Sequence, residues 1–304
     1  MQNLILTSVI SIFSIFLSCK NNTKQSITTA PADQSTIQIK GSDTMVNLAQ
    51  AWAEEYKTIT PQVNVEVSGG GSGVGIAALT RGAIDIANAS RNVKKSEIEL
   101  VKKNTGKDLV EFIVGYDALV LYVHKDNPIT EITLEQLEQI YSENGNITRW
   151  SQLGVTIPGK GKDKIVLISR QSSSGTYEFF REHVLKKKDF KLGTLDMNGS
   201  KEVVELIGHT KTAIGYSGMG YATDHVKMLK IIEKPDKEAI PPTIESTQNK
   251  TYPLARSLLI YTLGQPEGKI KDYMDYIFSE AGQKQVLENG YVPIPKTNIP
   301  GPEL

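Results

Sequence analysis

The chain has a single cysteine, Cys19, and therefore cannot form an internal disulfide or a cysteine-based zinc site. Its four histidines are scattered, with neither an H-E-x-x-H nor a G-x-S-x-G motif, which argues against metalloprotease and serine-hydrolase chemistry. Lys plus Arg equals Asp plus Glu at 34 each, so the overall charge favours neither a nucleic acid nor an anionic membrane surface as a partner. Any preference for a charged ligand must be local. We expect no cofactor and no metal.

One long apolar run stands out at the N-terminus, from Leu4 to Leu17. It is too short to span a bilayer comfortably and leads directly to Ser18 and Cys19, which resembles a bacterial lipoprotein signal whose cysteine carries the lipid. We predict a signal peptide over residues 1–19 with lipidation at Cys19; the alternative is an ordinary signal peptide or a short membrane anchor in which Cys19 has no role. Residues 20–35, rich in Thr, Asn, Gln and Ser, are expected to form a flexible tether. The protein is therefore expected outside the cytoplasm, periplasmic or at the cell surface, anchored to a membrane by lipid.

From residue 36 onward, strand-like apolar segments alternate with segments of helical periodicity. In the first helix, for example, Leu48, Ala49, Trp52 and Tyr56 fall on one face. Such alternation predicts an α/β fold with a mainly parallel sheet, whose ligands bind at the carboxyl ends of the strands. The predicted strands are 36–39, 63–67, 83–87, 112–114, 118–123, 164–169, 213–216 and 254–263. The predicted helices are 46–56, 75–79, 96–103, 133–141, 176–185, 201–207, 267–279 and 281–289, and 234–252 is expected to be irregular.

Three segments rich in Gly, Ser and Thr each follow a predicted strand and open a predicted helix. We call residues 41–45, 68–75 and 170–176 the first, second and third junctions. The first turn of a helix has unpaired N–H groups and a partial positive charge, so each junction is a candidate anion site. Because all three lie at carboxyl ends of strands, they predict one shared oxyanion.

Each junction would contribute different hydrogen-bond donors. Ser42 and Thr44 offer hydroxyls, the glycines of the second junction let the backbone approach a ligand closely, and Arg170 can bind an oxyanion through two N–H groups. Taken singly, a helix cap explains the first junction and a flexible turn explains the second. A fourth segment, 154–160, has phosphate-loop spacing, but Gly161 stands where that loop needs Ser or Thr, so we interpret it as a loop.

In order and spacing these segments resemble the phosphate-binding proteins of bacterial ABC importers, over nearly all of the chain after the tether. Besides the three junctions, the resemblance rests on Asp-Ile-Ala-Asn-Ala-Ser-Arg at 85–91, Ile-Gly-Tyr at 214–216, Tyr-Pro-Leu-Ala-Arg at 252–256 and Gly-Tyr-Val-Pro at 290–293.

The resemblance implies a two-lobed periplasmic-binding-protein type II fold, with a mainly parallel sheet flanked by helices in each lobe and two hinge strands between them. Lobe I would comprise residues 36–123 plus 252–304, and lobe II residues 124–251. It implies a monomer, not an enzyme, that closes over inorganic phosphate and presents it to a membrane permease.

The resemblance also implies particular phosphate ligands: Thr44, the Met45 N–H, Ser72, Arg170, Ser174, Gly175 and Thr176. Further candidates in the same segments are Ser42, Asp43, Gly71, Ser90, Arg91 and Ser173. Where this chain has Arg91, the longer members of the family have an Asp that accepts the proton of hydrogen phosphate. In the shorter members of the family, Ser-Arg is usual at this place. Asp43 is our candidate replacement, with Asp117 behind it. Arg91 is expected either to contact the ligand or to form a surface ion pair.

Three alternatives stay open. The first is the same fold with another oxyanion such as sulfate. The second is an exported phosphatase or related hydrolase with Ser174 as nucleophile, and the third is a surface adhesin or sensor that serves a partner protein.

Overall fold

The computed structural model describes residues 35–159 and 161–295. The predicted signal peptide, the lipidated Cys19 and nearly all of the tether lie outside the described residues. The described strands are β1 Ser35–Gly41, β2 Val63–Ser68, β3 Ile86–Ala89, β4 Leu109–His124, β5 Glu131–Thr133, β6 Val166–Arg170, β7 Leu195–Met197, β8 Ala213–Gly218, β9 Val226–Met228, β10 Lys230–Ile232 and β11 Ala255–Leu263. The described α-helices are α1 Val46–Ile59, α2 Ser72–Leu79, α3 Lys95–Thr105, α4 Leu134–Tyr141, α5 Gly175–His183, α6 Ser200–His209, α7 Ile244–Gln248, α8 Gly268–Phe278 and α9 Glu280–Glu288.

Most strands join one sheet, in the order β2-β1-β3-β11-β4-β8-β6-β7, with β9 also paired to β4. β1 is parallel to β2 and β3, and β6 is parallel to β7 and β8. In contrast, β4 and β11 run antiparallel to each other and to their neighbours. β5 and β10 form a separate parallel pair. The predicted parallel sheet is thus confirmed on each side of two central antiparallel strands.

Two hydrophobic cores lie on opposite sides of the central strands. The first core, which includes Ile37, Trp52 and Tyr273, packs β1, β2 and β3 against α1 and α8, with a smaller cluster beneath α2. The second core includes Trp150 and Phe180 and packs β6 and β8 among α4, α5 and α6. This arrangement agrees with the predicted two-lobed α/β fold.

The strand β4 takes part in both cores. Val114 packs in the first core, whereas residues 118–123 pack in the second. Along the same strand the pairing changes from β11 to β8 between Ala118 and Leu119. β4 and β11 are therefore the candidate hinge strands, while the predicted lobe bounds stay a prediction.

Local sequence patterns explain several elements. Leu48, Ala49, Trp52 and Tyr56 are all buried on one face of α1, as predicted. At the start of α4, the Gln136 N–H donates to Thr133 Oγ1 at 2.9 Å and the Thr133 N–H donates to Gln136 Oε1 at 2.9 Å. The capping box predicted there is confirmed.

Some predicted bounds were wrong. The strand expected at 83–87 begins at Ile86, because Asp85 bonds β1 through its carboxylate, which accepts the Gln38 N–H at 2.8 Å. The helix expected from Gly75 begins at Ser72, because the Val74 and Gly75 N–H groups already donate to the Gly71 carbonyl.

Other corrections concern continuity and length. The two expected strands at 112–114 and 118–123 are one strand, β4, and Ser35 belongs to β1 rather than to the tether. The region 234–252, expected to be irregular, contains the short helix α7. β5, β7, β9 and β10 were not predicted, because three residues cannot show an apolar periodicity. Among the described helices, none is long and apolar enough to cross a membrane.

Candidate functional site

The first junction turns sharply from β1 into α1. Gly41 has φ +146°, and a Cβ there would lie 2.1 Å from the Asn88 carbonyl oxygen, so only glycine fits. Residues Asp43–Met45 form one 3-10 turn that continues into α1. The turn buries Thr44, while the Met45 N–H, a predicted anion donor, donates to the Ser42 carbonyl at 3.0 Å in this structure.

The second junction brings its backbone against the third. Gly71 has φ +97°, and a Cβ there would lie 2.4 Å from the Ser173 carbonyl oxygen. That carbonyl accepts the Gly73 N–H at 3.0 Å, and Ser173 Oγ donates to the Gly70 carbonyl at 3.0 Å. The glycines therefore permit the close approach of two chain segments that belong to different cores.

The third junction ends β6 and caps α5. Ser174 Oγ, the N-cap, accepts the N–H groups of Thr176 at 3.2 Å and Tyr177 at 3.4 Å. A Cβ at Gly175 would lie 2.2 Å from Ser72 Oγ and 2.8 Å from Ser90 Oγ. The helix start is thus pressed against hydroxyls that come from the opposite core.

These contacts bring five buried hydroxyls together. Thr44 Oγ1 lies 2.9 Å from Thr176 Oγ1, and Ser42 Oγ donates to Ser90 Oγ at 2.9 Å. Ser72 Oγ accepts the Ser90 N–H at 3.1 Å. We call this set the hydroxyl cluster; its members are Ser42, Thr44, Ser72, Ser90 and Thr176.

Beside the hydroxyl cluster, Asp43 and Arg170 form an ion pair between the first and third junctions, with Nη2 2.8 Å from Oδ2. The other oxygen of Asp43 accepts the Gly70 N–H at 2.7 Å, so this carboxylate touches all three junctions. Arg170 is fully buried, and burial lowers its pKa, opposed by the charge of Asp43. Its remaining bonds run from Nη1 to Ser200 Oγ at 2.9 Å and from Nη2 to the Asn198 carbonyl at 3.0 Å.

The donors of Arg170 are not all used. Guanidinium has five N–H groups, and the buried Nε has no acceptor among the described residues. Nη1 has one bond, to Ser200, so one of its two hydrogens is also unassigned. Two N–H groups of a buried cation are thus left for another acceptor, which an oxyanion would satisfy.

A second buried ion pair, which the sequence did not predict, lies in contact with the hydroxyl cluster. Arg256 donates to Asp117 Oδ2 from Nε at 2.9 Å and from Nη2 at 2.7 Å. Burial raises the pKa of Asp117, opposed by Arg256 and by the Met219 N–H. Arg256 lies directly opposite Asp117 in the β4–β11 ladder. The one available signal was the Tyr-Pro-Leu-Ala-Arg motif at 252–256, which by itself names no partner for the arginine.

Arg91 does not join the hydroxyl cluster by any hydrogen bond among the described residues. Its two Nη atoms bond the Glu97 carboxylate at 2.7 and 2.9 Å. Burial works to lower the pKa of Arg91, but Glu97 outweighs it and the pKa is raised. Arg91 also lines, with Lys94 and Arg256, a cavity of about 470 Å³ next to the cluster. The ion-pair interpretation is thus the one that its contacts favour, although the pair is largely buried.

The described histidines do not support hydrolase chemistry at Ser174. Ser174 Oγ is occupied as a helix cap, and none of the four histidines bonds it or the hydroxyl cluster in residues 35–159 and 161–295. A serine nucleophile needs an adjacent base. The arrangement can offer hydrogen bonds to an anion, which is a binding function.

The chain is similar to known proteins over most of its length. A family model described as a PBP superfamily domain matches residues 26–281. The phosphate-binding protein PstS of Pseudomonas aeruginosa is 34% identical over 265 residues, which cover 84% of this chain and 82% of that protein. The protein of the same name from Bacillus subtilis is 31% identical, covering 85% and 80%.

Solved structures give the same result. A putative phosphate ABC transporter substrate-binding protein from Clostridium perfringens, with bound phosphate, is 30% identical with a TM-score of 0.76 and covers 86% of this chain and 100% of that one. An ABC-type phosphate transport receptor from Vibrio cholerae is 30% identical with a TM-score of 0.67, covering 85% and 100%.

Proposed function

The chain belongs to the PBP superfamily and, within it, to the phosphate-binding proteins of ABC importers, and on that premise we propose that it binds inorganic phosphate outside the cytoplasm and delivers it to an ABC-type permease. The observation that carries this proposal is the convergence of three helix starts, five buried hydroxyls and Arg170 at one point between the two cores.

The binding chemistry follows from the donors. Arg170 supplies charge and two unassigned N–H groups, and the hydroxyl cluster supplies neutral O–H groups in a buried setting. Together they replace the water that surrounds the free anion, and hydrogen bonds to an ion are strong where water is excluded. Loss of one such donor costs about 1–3 kcal/mol, because its buried partner is left unpaired. No bond in the ligand is broken.

Delivery needs an opening and closing motion. The cores are joined by contacts at the junctions, by an ion pair between Lys94 and Glu178 at 2.9 Å and by the Tyr221 hydroxyl, which donates to the Asp43 carbonyl at 2.6 Å. These contacts hold a closed form that β4 and β11 can hinge open. In this proposal the closed form is the shape that the permease recognises, and lobe I (36–123 plus 252–304) moves against lobe II (124–251).

Selectivity for phosphate is assigned to Asp43. Its carboxylate lies between the Gly70 N–H and Arg170, next to the donors that would hold the ligand. A carboxylate accepts the proton of hydrogen phosphate and repels sulfate, which has no proton to give. The protein would act as a monomer, and Cys19 would carry the lipid that keeps it at the membrane.

Calorimetry on the full chain with phosphate and with sulfate tests this proposal. We expect phosphate binding in the unmodified protein and a loss of about 100-fold in affinity, or about 3 kcal/mol, on Arg170→Ala, because Asp43 is also left unpaired. Arg149→Ala is the control, since Arg149 is 62% exposed and, among the described residues, its ion pair is with Asp163. Absence of phosphate binding, or an Arg170→Ala variant with unchanged affinity, contradicts the proposal.

A further inference from the structure

Arg256 contacts both threonines of the hydroxyl cluster. Nη2 donates to Thr44 Oγ1 at 3.3 Å, and Nη1 donates to Thr176 Oγ1 at 3.1 Å. Thr44 lies just before α1, a helix that packs in the first core. Thr176 lies in the first turn of α5, a helix that packs in the second core. One planar group on the hinge strand β11 thus spans the two sides of the candidate site.

Every N–H of Arg256 has an acceptor. Nε and one hydrogen of Nη2 go to Asp117, the second hydrogen of Nη2 goes to Thr44, and the two hydrogens of Nη1 go to Thr176 and to the Ser90 carbonyl at 3.3 Å. This uses all five donors of a guanidinium. Arg256 therefore differs from Arg170, which has two N–H groups unassigned.

Asp117 fixes the plane of this guanidinium. Its Oδ2 accepts two N–H groups of Arg256, and its Oδ1 accepts the Met219 N–H at 3.0 Å. Both side chains of the pair are almost completely buried. The guanidinium carbon of Arg256 also lies over the ring of Phe179, 5.6 Å from the ring centre. The guanidinium cannot rotate without breaking several of these contacts.

The fixed guanidinium determines which hydrogen bonds the hydroxyls of Thr44 and Thr176 can donate. Because an arginine N–H can only donate, Thr44 Oγ1 and Thr176 Oγ1 both accept from Arg256. The two oxygens are 2.9 Å apart, so one hydroxyl donates to the other. That leaves one hydroxyl hydrogen with no other acceptor among the described residues, and it is directed away from the guanidinium.

We propose that Arg256, held by Asp117, is a positioning residue that orients the Thr44 and Thr176 hydroxyls so that their one free hydrogen is donated to the bound oxyanion. The inference rests on the proposed function and deepens it. Arg256 does not itself bond the anion. Since the oriented donor is the same for any tetrahedral oxyanion, the pair contributes affinity and not the choice between phosphate and sulfate.

A double-mutant cycle with Arg256→Lys and Thr176→Val, followed by calorimetry with inorganic phosphate and sulfate, tests the inference. A lysine ammonium keeps the charge next to Asp117 but cannot straddle two hydroxyls as a planar fork does. We expect Arg256→Lys alone to weaken phosphate binding about tenfold, but only about threefold when Thr176→Val is already present, because Arg256 then holds Thr44 alone. The ratio of phosphate to sulfate affinity should stay unchanged.

The control cycle replaces Thr176→Val by Thr80→Val. Thr80 is also buried, but its hydroxyl donates to the Ile76 carbonyl within its own helix, so its effect should add to that of Arg256→Lys. If Arg256→Lys does not fold, as judged by its melting curve, Asp117→Glu takes its place, since it shifts the guanidinium and keeps the charges.

Additive effects of Arg256→Lys and Thr176→Val, or a changed phosphate-to-sulfate ratio, would overturn the inference. Its failure is distinct from failure of the proposed function. In the first case the unmodified protein binds phosphate and the cycle shows no coupling; in the second the unmodified protein binds no phosphate at all.

Discussion

Gly175 offers a direct test of whether the closed arrangement is the binding form. Its ideal Cβ would lie 2.2 Å from Ser72 Oγ and 2.9 Å from Ser72 Cβ, distances that real Cβ atoms do not show. Gly175 is the first residue of α5, on the second core, whereas Ser72 begins α2 beside the first. Gly175→Ala therefore inserts a methyl group between two elements that must meet for closure.

The size of the effect can be worked out from packing. A methyl group forced into a well-packed contact costs about 1–3 kcal/mol, which corresponds to a loss of about 5-fold to 150-fold in phosphate affinity. The backbone of Gly175 does not need glycine, because its φ lies outside the left-handed region. Alanine is also the better helix former, by up to about 1 kcal/mol. The open form should thus be as stable as before, and the penalty should fall on the closed form.

The assay is calorimetric titration with phosphate, together with melting curves in its presence and absence. We expect the melting temperature without phosphate to be unchanged and the rise caused by phosphate to shrink. Gly199→Ala is the matched control: Gly199 precedes α6, and within the described part of the chain the atom nearest its ideal Cβ is Glu202 Oε1 at 4.0 Å. If Gly175→Ala binds phosphate as tightly as Gly199→Ala, the junctions do not close over the ligand in this way.

Two further variants address selectivity and stability. Asp43→Asn removes the carboxylate that we propose accepts the proton of hydrogen phosphate. The ratio of phosphate to sulfate affinity, measured by calorimetry with both anions, should therefore fall about tenfold. A preserved ratio would refute this role of Asp43. Hydrogen bonds from Lys186 and Lys188 lower the pKa of the buried Glu138. The ionised Glu138 therefore stabilises the folded protein above its ordinary pKa of 4.5, and this stabilisation is lost as the pH falls through the lowered pKa. Glu138→Gln should therefore lower the melting temperature at neutral pH and approach the unmodified protein in acid; an equal difference at every pH would contradict this.

The sequence predicted what depends on short-range patterns. The buried face of α1 follows from the spacing of Leu48, Trp52 and Tyr56, and the start of α4 follows from Thr133 and Gln136. Each of these signals lies within one or two helical turns. The three junctions were found for the same reason, since a Gly- or Ser-rich segment between a strand and a helix is a local feature.

The Asp117–Arg256 pair could not be predicted in this way. Its partners are 139 positions apart and meet only because β4 and β11 pair antiparallel in one particular register. An apolar run fixes the existence of a strand but not its register, which depends on packing against both cores. The contact between Arg91 and Glu97, only six positions apart, was left open for a different reason. An ion pair was one of the two outcomes expected for Arg91, but the spacing of residues does not choose between a ligand and a neighbouring carboxylate.

Four ion pairs lie around the hydroxyl cluster. The pairs are Arg170 with Asp43, Arg256 with Asp117, Arg91 with Glu97, and Lys94 with Glu178. These eight residues carry no net charge, so the anion would be held by hydrogen bonds from charged and neutral donors and not by an excess of positive charge. What remains for recognition is direction: the two unassigned N–H groups of Arg170 and the O–H groups held in place by buried partners. Fixed donors of this kind select an anion by the number and geometry of its acceptor atoms. A neighbouring carboxylate such as Asp43 can then distinguish a protonated oxyanion, which donates to it, from an unprotonated one, which it repels. A site with positive charges alone could not make this distinction.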